Sequence, residues 1–216
     1  MPSFIKAESF KLSKKLKSWL GPLLVMVLVL IAFPLSIDIS QYDLDKFYFS
    51  IIVVSLLMTA FVATEGMFEE DFEDGSLEQE FLKEKDFYKL VISKIFVYVC
   101  FIGMPIAFIG ALFSFANGVA IGSFGKVFLL LSLSNLLLFN LFAFGNALSI
   151  NKGAMLGVLS SLPLALPVII LLGRAIRSIQ YGDGFVAVTT LMVGIALIVS
   201  AIMPLIISAA LKTHID

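Results

Sequence analysis

Charge is distributed so unevenly along this chain that the distribution alone sets the fold class. Six stretches, 18–37, 47–64, 95–125, 127–151, 153–173 and 184–211, contain no Asp, Glu, Lys, Arg or His. They are 20, 18, 31, 25, 21 and 28 residues long and together make up 143 of the 216 residues. A helix that crosses a bilayer needs about 20 apolar residues, at about 1.5 Å of rise each. In hydrocarbon every backbone N–H and C=O must be satisfied within the segment, so such runs are helices rather than loops. The roughly ten-residue alternating segments of a membrane β-barrel are absent from the sequence.

Composition agrees with this reading. Hydrophobic residues account for 60% and charged residues for 14%, with a mean hydropathy of +1.05. Soluble domains carry about 25% charged residues, so a water-soluble enzyme and a disordered tail are both excluded. The net charge of -1 offers no basic field to a nucleic acid. The single cysteine, Cys100, excludes an internal disulfide, and the single histidine, His214, excludes a His-pair metal site.

The expected architecture is therefore all-α: one polytopic domain over 1–216, with six spans at about 19–37, 47–64, 92–115, 127–150, 154–173 and 185–210. The first run is too long, and too poor in small residues at Phe33-Pro34-Leu35-Ser36-Ile37, to be a cleaved leader. Lysine and arginine set the orientation. Eleven of them (Lys6, Lys11, Lys14, Lys15, Lys17, Lys83, Lys85, Lys89, Lys94, Lys152, Lys212) fall on the side of the termini, against four (Lys46, Lys126, Arg174, Arg177) on the other. Both termini are expected in the cytoplasm or an organellar matrix, with the chain a multi-pass membrane protein.

Residues 4–17 place Ile5, Leu12, Leu16 and Trp19 on one helical face and lysines elsewhere, the pattern of an interfacial helix that attracts anionic lipid. Pro34 is expected to kink or end the first span. Pro163 and Pro167 remove two donors from one face of the fifth span, which is expected to bend or break there as a hinge. In the fourth span Ser132, Ser134, Asn135, Asn140 and Asn146 are expected to face other helices rather than lipid.

One connection has richer chemistry. Ten of the sixteen acidic residues lie in 65–86. Phe68 and Phe72 form an apolar i,i+4 pair, and Asp74-Gly75 signals a turn. Ser76-Leu77-Glu78-Gln79 has capping-box spacing, with Ser76 as the expected N-cap and Gln79 reaching back. Leu77, Phe81 and Leu82 would then form the apolar side of a short helix. The expected docking and coupling surface for a partner is Phe68, Asp71, Phe72, Asp74, Gly75, Ser76, Leu77, Glu78 and Gln79, within a segment spanning 65–90. Gly122-Ser123-Phe124-Gly125-Lys126-Val127 lacks phosphate-loop spacing, since Ala120 and Val127 stand where Gly and Ser/Thr are needed. Any ATP hydrolysis therefore belongs to another chain, and no catalytic residue or metal ligand is assigned here.

With these residues in view, the chain resembles the haem exporter protein B family, integral-membrane permease subunits of the ABC transporter used in cytochrome c maturation. The carrying strings are Asp71 through Gln79, centred on Asp74-Gly75-Ser76-Leu77-Glu78-Gln79; Phe33-Pro34-Leu35-Ser36-Ile37; and the fifth-span pattern from Lys152-Gly153 through Leu162-Pro163 to Leu166-Pro167. Where the family continues after Gln79 with an apolar stretch and a proline, this chain has the charged, proline-free 80–86.

The resemblance implies an ABC-2-like permease with an N-terminal elbow helix. Its implied partners are a cytoplasmic ABC ATPase subunit, a haem-handling multi-span membrane subunit, a small membrane peptide and a periplasmic haem chaperone. Haem would be the transported or handled ligand, with no cofactor held stably by this chain. His214 falls in the cytoplasmic tail, and Cys100, Met104 and Met58 are at most transient contacts. The alternative is an ABC-2-type permease for another amphipathic cargo, a lipid or a drug.

Overall fold

The computed structural model describes residues 2–36, 44–83, 87–150, 154–182 and 184–215. The expected end of the first span at Ile37, the charged Glu84, Lys85 and Asp86, and the Lys152-Gly153 pair lie outside the described residues. Every regular element among the described residues is helical. In chain order these are α1 Pro2–Lys14, α2 Leu16–Ser36, α3 Leu44–Thr64, α4 Glu69–Glu73, α5 Ser76–Lys83, α6 Tyr88–Tyr98, a π turn Val99–Gly103, α7 Met104–Ala116, α8 Ile121–Ser149, α9 Ala154–Tyr181 and α10 Phe185–Ile215.

Among the described residues six spans are long and apolar enough to cross a membrane, with α6, the π turn and α7 joined as the third. The chain is a multi-pass helical membrane protein, as its charge pattern required. Several helices overrun their charge-free runs. α9 continues through Tyr181, so Arg174 and Arg177 are helical rather than part of the outer connection. α10 carries Lys212 and His214 in its last turn.

α8 is the hub. It packs most extensively on α9, then on α10, α7 and α3. Val127, Leu130, Leu131, Leu138, Phe139, Phe142 and Ala143 are buried around its whole circumference. α2 and α10 instead bury a single stripe and leave Leu24, Leu28 and Ile31, and Leu197, Ile198 and Leu205, exposed. In water such faces would aggregate, whereas against acyl chains they are the expected surface.

The prolines leave the helices unbroken. α2 continues through Pro34 to Ser36, and α9 runs helical through both Pro163 and Pro167. A proline forfeits one bond, whereas unwinding a span in hydrocarbon would strand several backbone groups, so the helix persists. The irregularity sits in the third span instead. There Pro105 lies two residues past the π turn, in the first turn of α7, and has no N–H to give to the ladder.

Ser134, Asn135 and Asn140 of α8 are buried in the bundle. The Asn135 amide donates to the Gly103 carbonyl of the π turn at 2.7 Å. Asn146 accepts from the Phe68 N–H at 3.0 Å. Asn140 and Ser132 bond carbonyls of their own helix, Leu136 and Phe128, at 2.7 Å each. Ser134 and Asn140 are fully buried.

Candidate functional site

The acidic connection is built by two reversals and an anchor. α3 ends at Thr64, whose hydroxyl donates to the Ala60 carbonyl at 3.0 Å. Gly66, at φ 68°, turns the chain so that Met67 and Phe68 plunge into the bundle, Phe68 to complete burial. The bond from Phe68 to Asn146 fixes this point to the hub helix.

α4 follows, and Gly75, at φ 70°, separates it from α5. The Asp74 carboxylate accepts the Ser76 N–H at 2.8 Å, and the Gln79 N–H bonds to the Gly75 carbonyl at 3.2 Å. Asp74 rather than Ser76 therefore supplies the capping oxygen. The Ser76 hydroxyl is turned back to donate to the Asp71 carbonyl at 3.3 Å, which corrects the capping-box expectation. Both residue types cap helices, and the tight glycine turn brings the earlier one into range. Hydrogen bonding from Ser76 holds the Asp74 carboxyl below the ordinary carboxylate range.

No atom lies within 4 Å of a Cβ placed on Gly75, so a substitution there tests backbone conformation alone. Gly75→Val is expected to cost about 1–2 kcal/mol, and Gly75→Asn much less, because asparagine tolerates the left-handed region. Thermal midpoints of the purified complex check this; equal losses for the two would refute it.

Beneath the connection lies a buried ionic cluster. Asp71 is 8% exposed and Lys94, on α6, 3%. Their side chains are in direct contact as a hydrogen-bonded ion pair. Lys11 of α1 reaches the other Asp71 oxygen at 3.2 Å, and Glu8 stands 4.0 Å from the Lys94 ammonium. The four formal charges cancel, which is what lets them sit in so dry a place. Burial alone would lower the Lys11 pKa, but the Asp71 carboxylate beside it raises the net value above that of a free lysine. At the rim Lys15 pairs with Glu70. The Lys94 ammonium also lies 5.6 Å from the Phe68 ring centre.

In the sequence Lys94 stands only among the lysines on the side of the termini, and nothing there pairs Lys11 with Asp71 or Glu8 with Lys94. In fact α1, α4 and α6 are locked together at this end. The available signal was Glu8, the one acidic residue on an otherwise basic, amphipathic α1.

The expected docking residues thus divide. Phe68, Asp71 and Leu77 point inward. Phe72, Gly75 and Ser76 are half-buried, and Asp74, Glu78 and Gln79 face out with Glu69 and Glu73. Phe81 meets Phe87 edge-on at 5.8 Å and lies 5.3 Å from the Lys212 ammonium of α10. Leu82, expected on the apolar side, is 84% exposed. α5 therefore presents a surface of Glu78, Gln79 and Leu82 on a base of Leu77 and Phe81.

At the opposite end a cavity of about 980 Å³ opens between α3, the α7–α8 turn and α9. Tyr48, Ser50, Asn117, Ser123 and Arg177 are the polar side chains of its wall. The Arg177 guanidinium donates back to the Gly173 carbonyl at 3.3 Å. Of the residues named as transient haem contacts, Cys100 is half-buried in the π turn, and Met58 and Met104 are 53% and 40% exposed. They lie on different helices.

A family model described as CcmB protein matches residues 8–214. The chain belongs to the CcmB protein family. That match takes in Glu8, Lys11, the whole acidic connection and Lys94, so the ionic cluster lies within the CcmB region. The chain is 28% identical over 197 residues to Heme exporter protein B of Pseudomonas aeruginosa, covering 90% of this chain and 88% of the relative. It is 28% identical over 218 residues to Heme exporter protein B of Haemophilus influenzae, covering 98% and 97%. Against Heme exporter protein B of Escherichia coli K12 the identity is 33% over 86 residues, 40% of this chain and 39% of that one. The family anticipated from Asp74-Gly75-Ser76-Leu77-Glu78-Gln79 is the one that matches.

Proposed function

We propose that this chain is the membrane-spanning subunit of an ATP-driven haem export complex serving cytochrome c maturation, with the ATPase docking on the outer face of α4 and α5. CcmB membership supports the class of function. The observation that carries the coupling site is a short, exposed helix held rigidly from beneath: Glu78, Gln79 and Leu82 outside, Leu77 and the Asp71–Lys94 pair inside. A solvated loop has no need of such anchoring. The lysine excess at this end supports a cytoplasmic position for α1, α4, α5 and both termini, in a bacterial inner membrane.

Force applied to α5 then has three rigid outlets. Phe81 passes it to α10 through Lys212, the ionic cluster passes it to α1 and α6, and Phe68 passes it to α8 through Asn146. Closure of a nucleotide-bound ATPase would move these helices as bodies rather than bend them. The haem-handling multi-span subunit, the small membrane peptide and the periplasmic chaperone complete the proposed assembly. Haem is substrate here, and its stable ligation is assigned to a partner.

Two measurements test the reading. Deletion of the gene is expected to abolish covalent c-type cytochromes; normal levels would refute the haem assignment. Leu82→Asp combined with Glu78→Lys is expected to reduce ATPase co-purification by about tenfold or more, the scale of a lost apolar contact plus a reversed charge. Unchanged co-purification, with the subunit itself intact, would place the docking site elsewhere.

A further inference from the structure

The cavity between α3, the α7–α8 turn and α9 has a polar mouth and an apolar depth. α3 starts at this end of the bundle and α9 finishes at it, so position along either helix measures depth. Tyr48, Ser50, Asn117 and Arg177 stand at the mouth. Val54 lies about 9 Å below Tyr48, and Ile169 about 12 Å below Arg177, at about 1.5 Å of rise per residue. Val53, Val54, Ile169 and Gly173 line this deeper part. Val54 is 44% exposed, so the depth is open sideways, where acyl chains lie.

The only charged side chain among the described residues of the wall is a cation, Arg177. Its Nε–H donates to the Gly173 carbonyl at 3.3 Å, which ties the base of the guanidinium to the cavity wall. Among the described residues no carboxylate pairs with it. A guanidinium presents parallel N–H donors that match a phosphate, and the apolar shelf beneath it matches a hydrocarbon chain. The described wall residues include no His, Cys or Met to hold an iron. The volume of about 980 Å³ falls within the range of about 300–1,000 Å³ usual for a small-molecule site.

We propose that this cavity binds an anionic phospholipid of the adjoining leaflet, with its phosphate on Arg177 and an acyl chain along Val53, Val54 and Ile169. A zwitterionic headgroup is the poorer occupant, because its own cation competes with the arginine for the phosphate. The site holds whatever the cargo, so its failure and a failure of the haem assignment are read in separate experiments.

The test uses the full chain with its co-purifying subunits. Phosphatidylglycerol or phosphatidylcholine is supplied in mixed micelles, and retained lipid is counted by native mass spectrometry. Phosphatidylglycerol is expected to be held roughly tenfold more tightly, the scale of one charge-assisted pair. Arg177→Gln is expected to remove that preference. Arg174→Gln, one turn earlier on α9, exposed and outside the cavity wall, is expected to keep it. Gly173→Leu probes the depth. Nothing lies within 4 Å of a Cβ there, so the new side chain enters the cavity without displacing a neighbour. Retention is expected to fall roughly tenfold, the scale of a lost apolar contact, while the thermal midpoint in lipid-free detergent holds or rises. Equal retention of the two lipids by the wild type, full retention in Arg177→Gln or in Gly173→Leu, or displacement of the lipid by haem at equal affinity would each overturn the proposal. If a variant does not accumulate, the wild-type preference between the two lipids decides.

Discussion

Lys94→Met is expected to destabilise this protein by about 3–5 kcal/mol, the scale of removing one partner from a buried ion pair. Lys94 is in direct contact with one Asp71 oxygen, and it also faces Glu8. Without it two carboxylates share a nearly dry site with Lys11 alone. The cost comes mainly from the stranded charge rather than from the lost attraction. A second change should therefore reverse it: Lys94→Met with Asp71→Leu removes one charge of each sign and leaves Glu8 and Lys11 to balance. Thermal unfolding of the detergent-purified chain measures both. A single variant within about 1 kcal/mol of wild type, or a double variant no better than the single, would show that the cluster is solvated. Because Asp71 belongs to this internal set, its substitution is expected to lower yield first and ATPase binding only as a consequence. Asp74 and Glu78 should show the reverse order.

The other large effect is expected where α8 and α9 cross. A Cβ on Gly145 would stand 2.6 Å from the Gly157 carbonyl oxygen, and one on Gly157 would stand 2.7 Å from the Gly145 carbonyl oxygen. Both obstacles are backbone and cannot rotate aside. Even alanine must push the helices apart, at a cost of about 1–3 kcal/mol, and leucine more. In hydrocarbon no hydrophobic driving force holds helices together, so loss of this close packing is not offset. Gly194 on α10 provides the contrast, since nothing lies within 4 Å of a Cβ there. Gly194→Ala is expected to be neutral or stabilising, by up to about 1 kcal/mol of helix propensity. Equal thermal midpoints for Gly157→Ala and Gly194→Ala would contradict the crossing geometry.

The six spans were legible because lipid imposes a hard rule, and a charge-free run obeys it visibly. The turn at Asp74-Gly75 was legible for a similar reason: few residues adopt a positive φ, and glycine after aspartate marks the place. The interior of the site was not legible. Lys94 sits at the edge of an apolar run, and one sequence does not say on which side of the boundary such a residue falls. Its partner Asp71 is 23 positions away and Lys11 is 60 positions from Asp71. The Gly145–Gly157 contact joins two helices whose individual patterns say nothing of where they cross. Ser76 and Asp74 compete for one capping role two residues apart, and the turn between them decides.

The encirclement of α8 also bears on how the chain can be made. When this fourth span leaves the ribosome, α3 and α7 are already in the bilayer, but its most extensive neighbour, α9, and the next, α10, have not been synthesised. For that interval Ser134, Asn135 and Asn140 have only part of their shelter. Assembly from the N-terminus therefore passes through a state in which the amide-bearing helix is half-clothed. An insertase or holding chaperone would act at that moment, and a chain shortened before α9 would remain in that state until degraded.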